Sequence, residues 1–262
     1  MFKDKVAWVI GASSGIGEET ARQMNKAGAI VILSARKEDL LEKVQQSLAN
    51  PERSQIVPLD LVQQENFKEI AKGIYEEHGA IDYLFNNGGV SQRGEAFDTS
   101  EDVDRKIMEI NYFGNIALTK AVLPYMRKQG SGHIIAMSSI AGKFGFYLRS
   151  AYAASKHAMQ GFYESLLLEE ADNNIKVTIA YPGKINTEIS KSALNSAGEA
   201  HGKMDHNQET GMPVEECVRR LLKAVIKNRK SILIGNKEIY AVYIKRFFPS
   251  LFWRIIKNQS AT

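Results

Sequence analysis

The sequence predicts an α/β fold: one parallel β-sheet with helices packed on both of its faces. Three observations carry this expectation. Seven short apolar runs rich in β-branched residues recur along the chain, amphipathic stretches of helical period separate them, and a glycine-rich turn directly follows the first run.

The runs are VAWVI (6–10), AIVILSA (29–35), SQIVPLD (54–60), DYLFNN (82–87), HIIAMSS (133–139), KVTIAYP (176–182) and SILIG (231–235). Strands covered on both faces lose the polar alternation of half-exposed ones, and these runs are apolar almost throughout. GEETARQMNKAG (17–28) and EDLLEKVQQSLAN (38–50) read as helices, the first closing at Gly28 as a C-cap. Glu169 and Glu170 fall where a helix would present a solvated face. Residues 184–213 break the rhythm, being polar and interrupted by Gly, Ser and Asn. So long an irregular stretch following a strand end reads as a substrate lid.

With 262 residues, 44% hydrophobic and 24% charged, and no Pro/Ser linker or internal repeat, residues 1–262 form a single domain. Cys217 is the only cysteine, which excludes an internal disulfide, a cysteine zinc cluster and a CxxC pair; it reads as a buried thiol, and no metal site is expected. The opening residues lack the pattern of a secretory signal, so a cytoplasmic location is expected. The net charge of +4 is uneven: residues 214–262 hold eleven Lys or Arg against three Glu, a local +8 that leaves −4 on the rest.

GASSGIGEE (11–19) follows the first strand. Its Gly11, Gly15 and Gly17 suit a tight turn, close backbone approach to a ligand and a helix start that offers free N–H groups to a pyrophosphate. The same glycines would also serve a bare strand-to-helix turn. At the end of the second strand a carboxylate would bind a ribose 2′-hydroxyl, but the chain has Ser34, Ala35 and Arg36, with no acid before Glu38. Arg36, with a hydroxyl from Ser13, suits a 2′-phosphate, so NADP(H) is the expected cofactor.

Tyr152 and Lys156 lie one helical turn apart in RSAYAASKHAMQG (149–161), so a lysine charge can act on a phenol whose ordinary pKa is too high for proton exchange at neutral pH. Ala153, Ala154 and Ser155 would let a cofactor approach that helix.

Taken together, GASSGIG (11–17), NNGG (86–89), NYFGN (111–115), MSSIAG (137–142), YAASK (152–156) and YPGKINT (181–187) resemble, in order and spacing, the short-chain dehydrogenase/reductase family. The wording around YLRSAYAASKHA and the long tail is similar to the 11β-hydroxysteroid-dehydrogenase-like and membrane-associated dehydrogenase/reductase branch. The resemblance implies a single-domain, doubly wound Rossmann-type fold, hydride transfer between nicotinamide and an alcohol or carbonyl carbon, and a homodimer or homotetramer paired through the helices of residues 101–128 and of Tyr152. It implies Tyr152 as proton donor or base, Lys156 on the ribose hydroxyls, Ser139 on the substrate oxygen, with Ser138 the lesser candidate, and Asn111 supporting a proton path to the lysine. It implies cofactor contacts at Ser14 and Ile16 besides the loop glycines, at Asp60 and Leu61, at Asn87, Gly88 and Gly89, and at Pro182, Gly183, Ile185 and Thr187. Gly88 departs from the family's usual alanine.

Phe144, Phe146 and Tyr147 sit where the family builds a wall of the substrate pocket, which suggests a hydrophobic, lipid- or steroid-like carbonyl compound or alcohol. The tail, residues 238–262, places six aromatics between Tyr240 and Trp253 among Lys245, Arg246, Arg254 and Lys257. It is too interrupted to span a bilayer, yet suited to lie in a membrane interface, cover the pocket or pack on a partner subunit. No basic and aromatic interleaving elsewhere points to nucleic acid. A 3-oxoacyl-thioester reductase shares these motifs but usually ends soon after the last strand. A non-catalytic NADP-binding redox sensor would have no need of Ser139, Tyr152 and Lys156 together.

Overall fold

The computed structural model describes residues 2–257. In chain order its elements are β1 (Val6–Ile10), α1 (Gly15–Lys26), β2 (Ile30–Ser34), α2 (Glu38–Gln46), β3 (Ser54–Ile56), α3 (Phe67–His78), β4 (Tyr83–Asn86), β5 (Gln92–Arg93), α4 (Glu101–Met108) and α5 (Asn115–Gln129). There follow β6 (Gly132–Met137), α6 (Ser150–Glu169), β7 (Ile175–Pro182), β8 (Leu194–Asn195), α7 (His206–Glu209), α8 (Val214–Ile226), β9 (Ser231–Ile234), α9 (Tyr240–Phe247) and α10 (Pro249–Ile256).

The main sheet has the order β3-β2-β1-β4-β6-β7-β9, every neighbouring pair parallel. All seven apolar runs are therefore strands of one sheet. The alternation of each strand splits its side chains between two cores: Val6, Trp8 and Ile10 pack with α3, α5 and α6, while Ala7 and Val9 pack with α1, α2 and α8. Cys217 is fully buried in the second core, and burial pushes its thiol up to about 12. Strand order reverses at β1, so the crevice between the ends of β1 and β4 is where a doubly wound sheet places a ligand.

Three local readings change. Residues 101–128 are not one helix: a π-helical turn (Glu109–Gly114) separates α4 from α5 and turns Asn111 inward. The 184–213 stretch is less irregular than its composition suggests, because β8 pairs with β5, Ile185 bridges Met212 and α7 closes the excursion. Glu170 is not on a solvated face: it is 1% exposed and accepts from Arg127 Nε at 3.0 Å and Asn173 Nδ2 at 2.9 Å, whereas Glu169 is exposed. A hydrogen bond from Arg127 is the main reason its carboxyl lies below the usual range.

Gln92 fixes the start of α6. Its Oε1 accepts from the N–H groups of Ala151 (2.8 Å) and Tyr152 (3.3 Å), and its Nε2 donates to Thr99 Oγ1 at 3.0 Å. First-turn N–H groups have no partner within a helix, and here a buried side chain supplies one from 59 residues away. Gln92→Leu leaves both N–H groups unsatisfied and is expected to cost about 2 kcal/mol, a fall in Tm of about 5 °C. Thermal unfolding followed by circular dichroism checks this, and an unchanged Tm would remove Gln92 as the cap.

Candidate active site

The glycine loop runs between the ends of β1 and β4. Gly11 and Gly15 have positive φ (73° and 56°), and a Cβ on Gly17 would lie 2.1 Å from the Gly11 carbonyl oxygen and 2.6 Å from Asn87 Nδ2. Only glycine lets α1 begin this close beneath the loop. Gly88 has a packing reason rather than a flexibility one: a Cβ there would meet Leu61 Cδ1 at 2.7 Å and Ile10 Cγ2 at 3.1 Å. Leu61 fills the space that an alanine methyl would take.

A cavity of about 690 Å³ opens beside this loop. Ser139, Tyr152 and Lys156 line it together, as do Ile16, Asn87, Gly89, Pro182, Gly183, Ile185 and Thr187, residues expected to meet a cofactor. Thr187 reaches the loop itself, its methyl 3.2 Å from where a Cβ on Gly15 would stand. A turn that rejects side chains, an open helix start and a cavity with a polar floor together fit a dinucleotide. Arg36 and Ser14 are exposed and Ser13 is half-buried, and none of the three lines the cavity. Asp60 accepts from the Val62 N–H at 3.1 Å and caps its own turn, while Leu61 is buried packing. Ser34 is committed elsewhere: its Oγ accepts from Trp8 Nε1 (2.8 Å) and donates to the Val57 carbonyl (2.6 Å).

Lys156 is only 5% exposed. Its Nζ donates to the Met137 carbonyl at 2.8 Å and lies 5.8 Å from the centre of the Tyr152 ring. Burial lowers its pKa to about 8, within reach of proton exchange near neutrality. The Tyr152 phenol is raised by burial; the Ser139 hydroxyl facing it is the largest opposing effect, followed by the charges of Arg149 and Arg93. Ser139 Oγ accepts from the Ala141 N–H at 3.1 Å and donates to the Pro182 carbonyl at 3.3 Å. Ser138 instead donates to the Lys156 carbonyl at 2.9 Å, steadying the helix.

Asn111 is saturated by protein groups. Its Oδ1 accepts from the Val90 N–H (2.8 Å), and its Nδ2 donates to the Val90 carbonyl (2.9 Å) and Ser155 Oγ (3.0 Å). It thus ties the loop after β4 to α6, close behind Lys156. Ser155 is taken up by this contact and Ala154 is exposed, so neither forms the approach surface for a cofactor.

The far wall is apolar. The Phe144 and Phe146 rings lie 4.8 Å apart, tilted by 34°, and Phe252 of α10 meets Phe144 edge-on at 5.0 Å. Ala241, Ile244 and Ile256 complete the wall, so α9 and α10 cover the cavity. Tyr147 is not part of it: it is 61% exposed and donates to Glu95 at 2.7 Å. Neither Gln92 nor the Arg93, Arg149 and Asp205 cluster beside the site carries a local signal, because the partners are far apart in the chain.

Residues 5–198 match the family model described as short chain dehydrogenase. The chain is 43% identical over 263 residues to the dehydrogenase/reductase SDR family protein 7-like of Anopheles gambiae, covering 98% of this chain and 83% of that protein. It is 42% identical over 267 residues to the dehydrogenase/reductase SDR family member 7B of Rattus norvegicus, covering 99% and 82%. A crystal structure of a short-chain dehydrogenase from Streptomyces avermitilis superimposes with a TM-score of 0.83 at 29% identity, over 97% of this chain and 96% of that one. A Burkholderia phymatum short-chain dehydrogenase/reductase, determined in complex with NAD, shares the fold with a TM-score of 0.85 at 22% identity, over 95% of each chain. With the glycine loop, the seven-stranded sheet and the Ser139, Tyr152 and Lys156 cavity, these likenesses lead to one conclusion: the chain belongs to the short-chain dehydrogenase/reductase family of nicotinamide-dependent oxidoreductases.

Proposed function

We propose that this protein is an NADP(H)-dependent oxidoreductase that interconverts a carbonyl and a secondary alcohol on a hydrophobic, lipid- or steroid-like compound. The observation that carries the reading is the meeting of Ser139, Tyr152 and Lys156 with an apolar wall of Phe144, Phe146, Ile244 and Phe252 in one cavity. The bound cofactor supplies or accepts the hydride. Ser139 donates a hydrogen bond to the substrate oxygen, and Tyr152 gives that oxygen its proton in reduction or removes it in oxidation. Lys156, buried and with a pKa near 8, holds the ribose hydroxyls and returns a proton to Tyr152. Asn111 braces the loop and helix that carry these groups. The 184–213 segment serves as the lid, and the enzyme works as a homo-oligomer paired through α5 and α6.

Arg36 supports NADP(H), being exposed at the end of β2 with no acid beside it until Glu38. The tail supports contact with a membrane surface on the cytoplasmic side. Its inner face covers the cavity, while Tyr243, Phe247, Phe248, Leu251 and Trp253 stand exposed beside Arg246, Arg254 and Lys257. Among the described residues no helix is long and apolar enough to cross a membrane.

Three outcomes test this reading. Tyr152→Phe keeps NADPH affinity but loses at least about 100-fold in turnover of hydrophobic ketones, followed by NADPH oxidation; undiminished turnover contradicts the mechanism. Arg36→Asp weakens NADPH about tenfold or more while sparing NADH in fluorescence titrations, and equal effects on both remove Arg36 from the 2′-phosphate. Phe248→Asp with Trp253→Asp leaves the wall intact and abolishes flotation with anionic vesicles. Flotation equal to that of the unaltered protein ends the membrane reading.

A further inference from the structure

One buried charged cluster has no part in the mechanism above. Arg93 on β5 donates from Nε to Asp205 Oδ2 at 2.9 Å and from Nη2 to the same oxygen, and its Nη1 donates to Ser91 Oγ at 2.8 Å. Arg149 Nη2 donates to that oxygen as well, at 3.2 Å. Asp205 comes from the 184–213 segment, where its N–H donates to Ser190 Oγ at 3.2 Å. Its other oxygen is buried, makes no hydrogen bond among the described residues and lies 3.8 Å from His201 Nε2.

Buried ion pairs are a costly way to fasten a loop, since apolar packing often does as well. Their position is therefore informative. Arg149 lines the cavity with Tyr152, three residues before it in the chain, and its guanidinium carbon is 5.8 Å from the centre of the Phe146 ring. Tyr152 and Arg149 both pack against Phe146. Burial works against charge on the phenol; after the Ser139 hydroxyl, Arg149 and Arg93 oppose that effect most, while burial and Arg93 lower Arg149 itself to about 10 and Asp205 works to keep it charged. The Lys156 ammonium, by contrast, is directed at the Met137 carbonyl.

We propose that Arg149, seated by Asp205, is a positioning residue of the reaction: its guanidinium holds the negative charge that Tyr152 carries once its proton has passed to the substrate oxygen. The inference rests on Tyr152 being the proton donor. In carbonyl reduction the Tyr152 O–H bond breaks, the proton forms the O–H bond of the product alcohol, and the electron pair stays on the phenolate. A fixed, largely buried cation favours that state without reorganising. Asp205 fixes the guanidinium and partly offsets its charge, so the segment that covers the site also sets the field at the phenol. The other ionisable groups around the cavity are Lys156 on the same helix, His201 beside Asp205, and Lys184, Lys237 and Glu238 on the remaining walls. All of them are retained in the variants below.

The test is a pH titration of the full-length protein carrying 13Cζ-labelled tyrosine, with the Tyr152 resonance identified by its loss in Tyr152→Phe. Arg149→Gln keeps an N–H donor for Asp205 but no charge, and is expected to move the Tyr152 titration upward by about one pH unit, a tenfold fall in the ionised ratio. Arg149→Lys restores it. Asp205→Asn removes the counter-charge and moves the titration downward. A packing role cannot produce opposite shifts. A titration that stays in place in either variant, or moves the same way in both, overturns the proposal. Should Arg149→Gln not fold, the direction seen in Asp205→Asn alone decides. Turnover that survives Tyr152→Phe overturns the reading of the reaction instead, and leaves this titration standing as a separate result.

Discussion

The site depends on one buried ammonium. Lys156 is almost wholly withdrawn from water and, among the described residues, is paired with no carboxylate; its Nζ meets the Met137 carbonyl and the Met159 sulfur. Burying a charge with so few partners is unfavourable, and the depressed pKa is the measure of that cost. The fold sustains it by fixing α6 at several points: the Gln92 cap at its start, Ser138 on the Lys156 carbonyl and Asn111 on Ser155. Each contact comes from a different element, so the helix cannot shift without breaking the others.

Around that polar floor the chain builds two contrasting walls. One is the glycine loop with the ends of β1 and β4, where backbone is laid bare and side chains are excluded for want of space. The other is aromatic and aliphatic, and much of it comes from α9 and α10 at the far end of the sequence. Lys245 pins this cover by donating to the Lys143 carbonyl at 2.9 Å. Glu238, whose Oε1 accepts from the Lys184 N–H at 3.0 Å and the Asn236 N–H at 3.1 Å, joins the root of the tail to the loop after β7. The cover and the loop after β7 are thereby linked, and the outer face of the same helices is left apolar and basic.

The strands were legible because burial on both faces forces uninterrupted apolar runs, and the glycine loop because close backbone approach admits few residue types. The Tyr152 and Lys156 pair was legible because one helical turn separates them, whereas Ser139 could be joined to them only through the resemblance to the family's motifs. What was hidden is long-range. Glu170 looks like half of an exposed pair until α5 supplies Arg127, and Tyr147 looks like a pocket aromatic until the turn before α6 points it at Glu95. Arg93 and Asp205 are 112 residues apart, and nothing in the composition of either neighbourhood marks them as partners. The glycine at position 88 could be read only once Leu61 and Ile10 were seen to occupy the space beside it.

The central claim is that this cavity passes hydride between a nicotinamide and the carbonyl carbon of a hydrophobic substrate. The most direct measurement incubates the protein with NADPH carrying deuterium at the transferable position of its nicotinamide ring and a panel of hydrophobic ketones, and analyses the alcohols by mass spectrometry. The alcohol is expected to carry one deuteron on its carbinol carbon. Alcohol formed without that label, or no product from any ketone while NADPH binds normally, would contradict it.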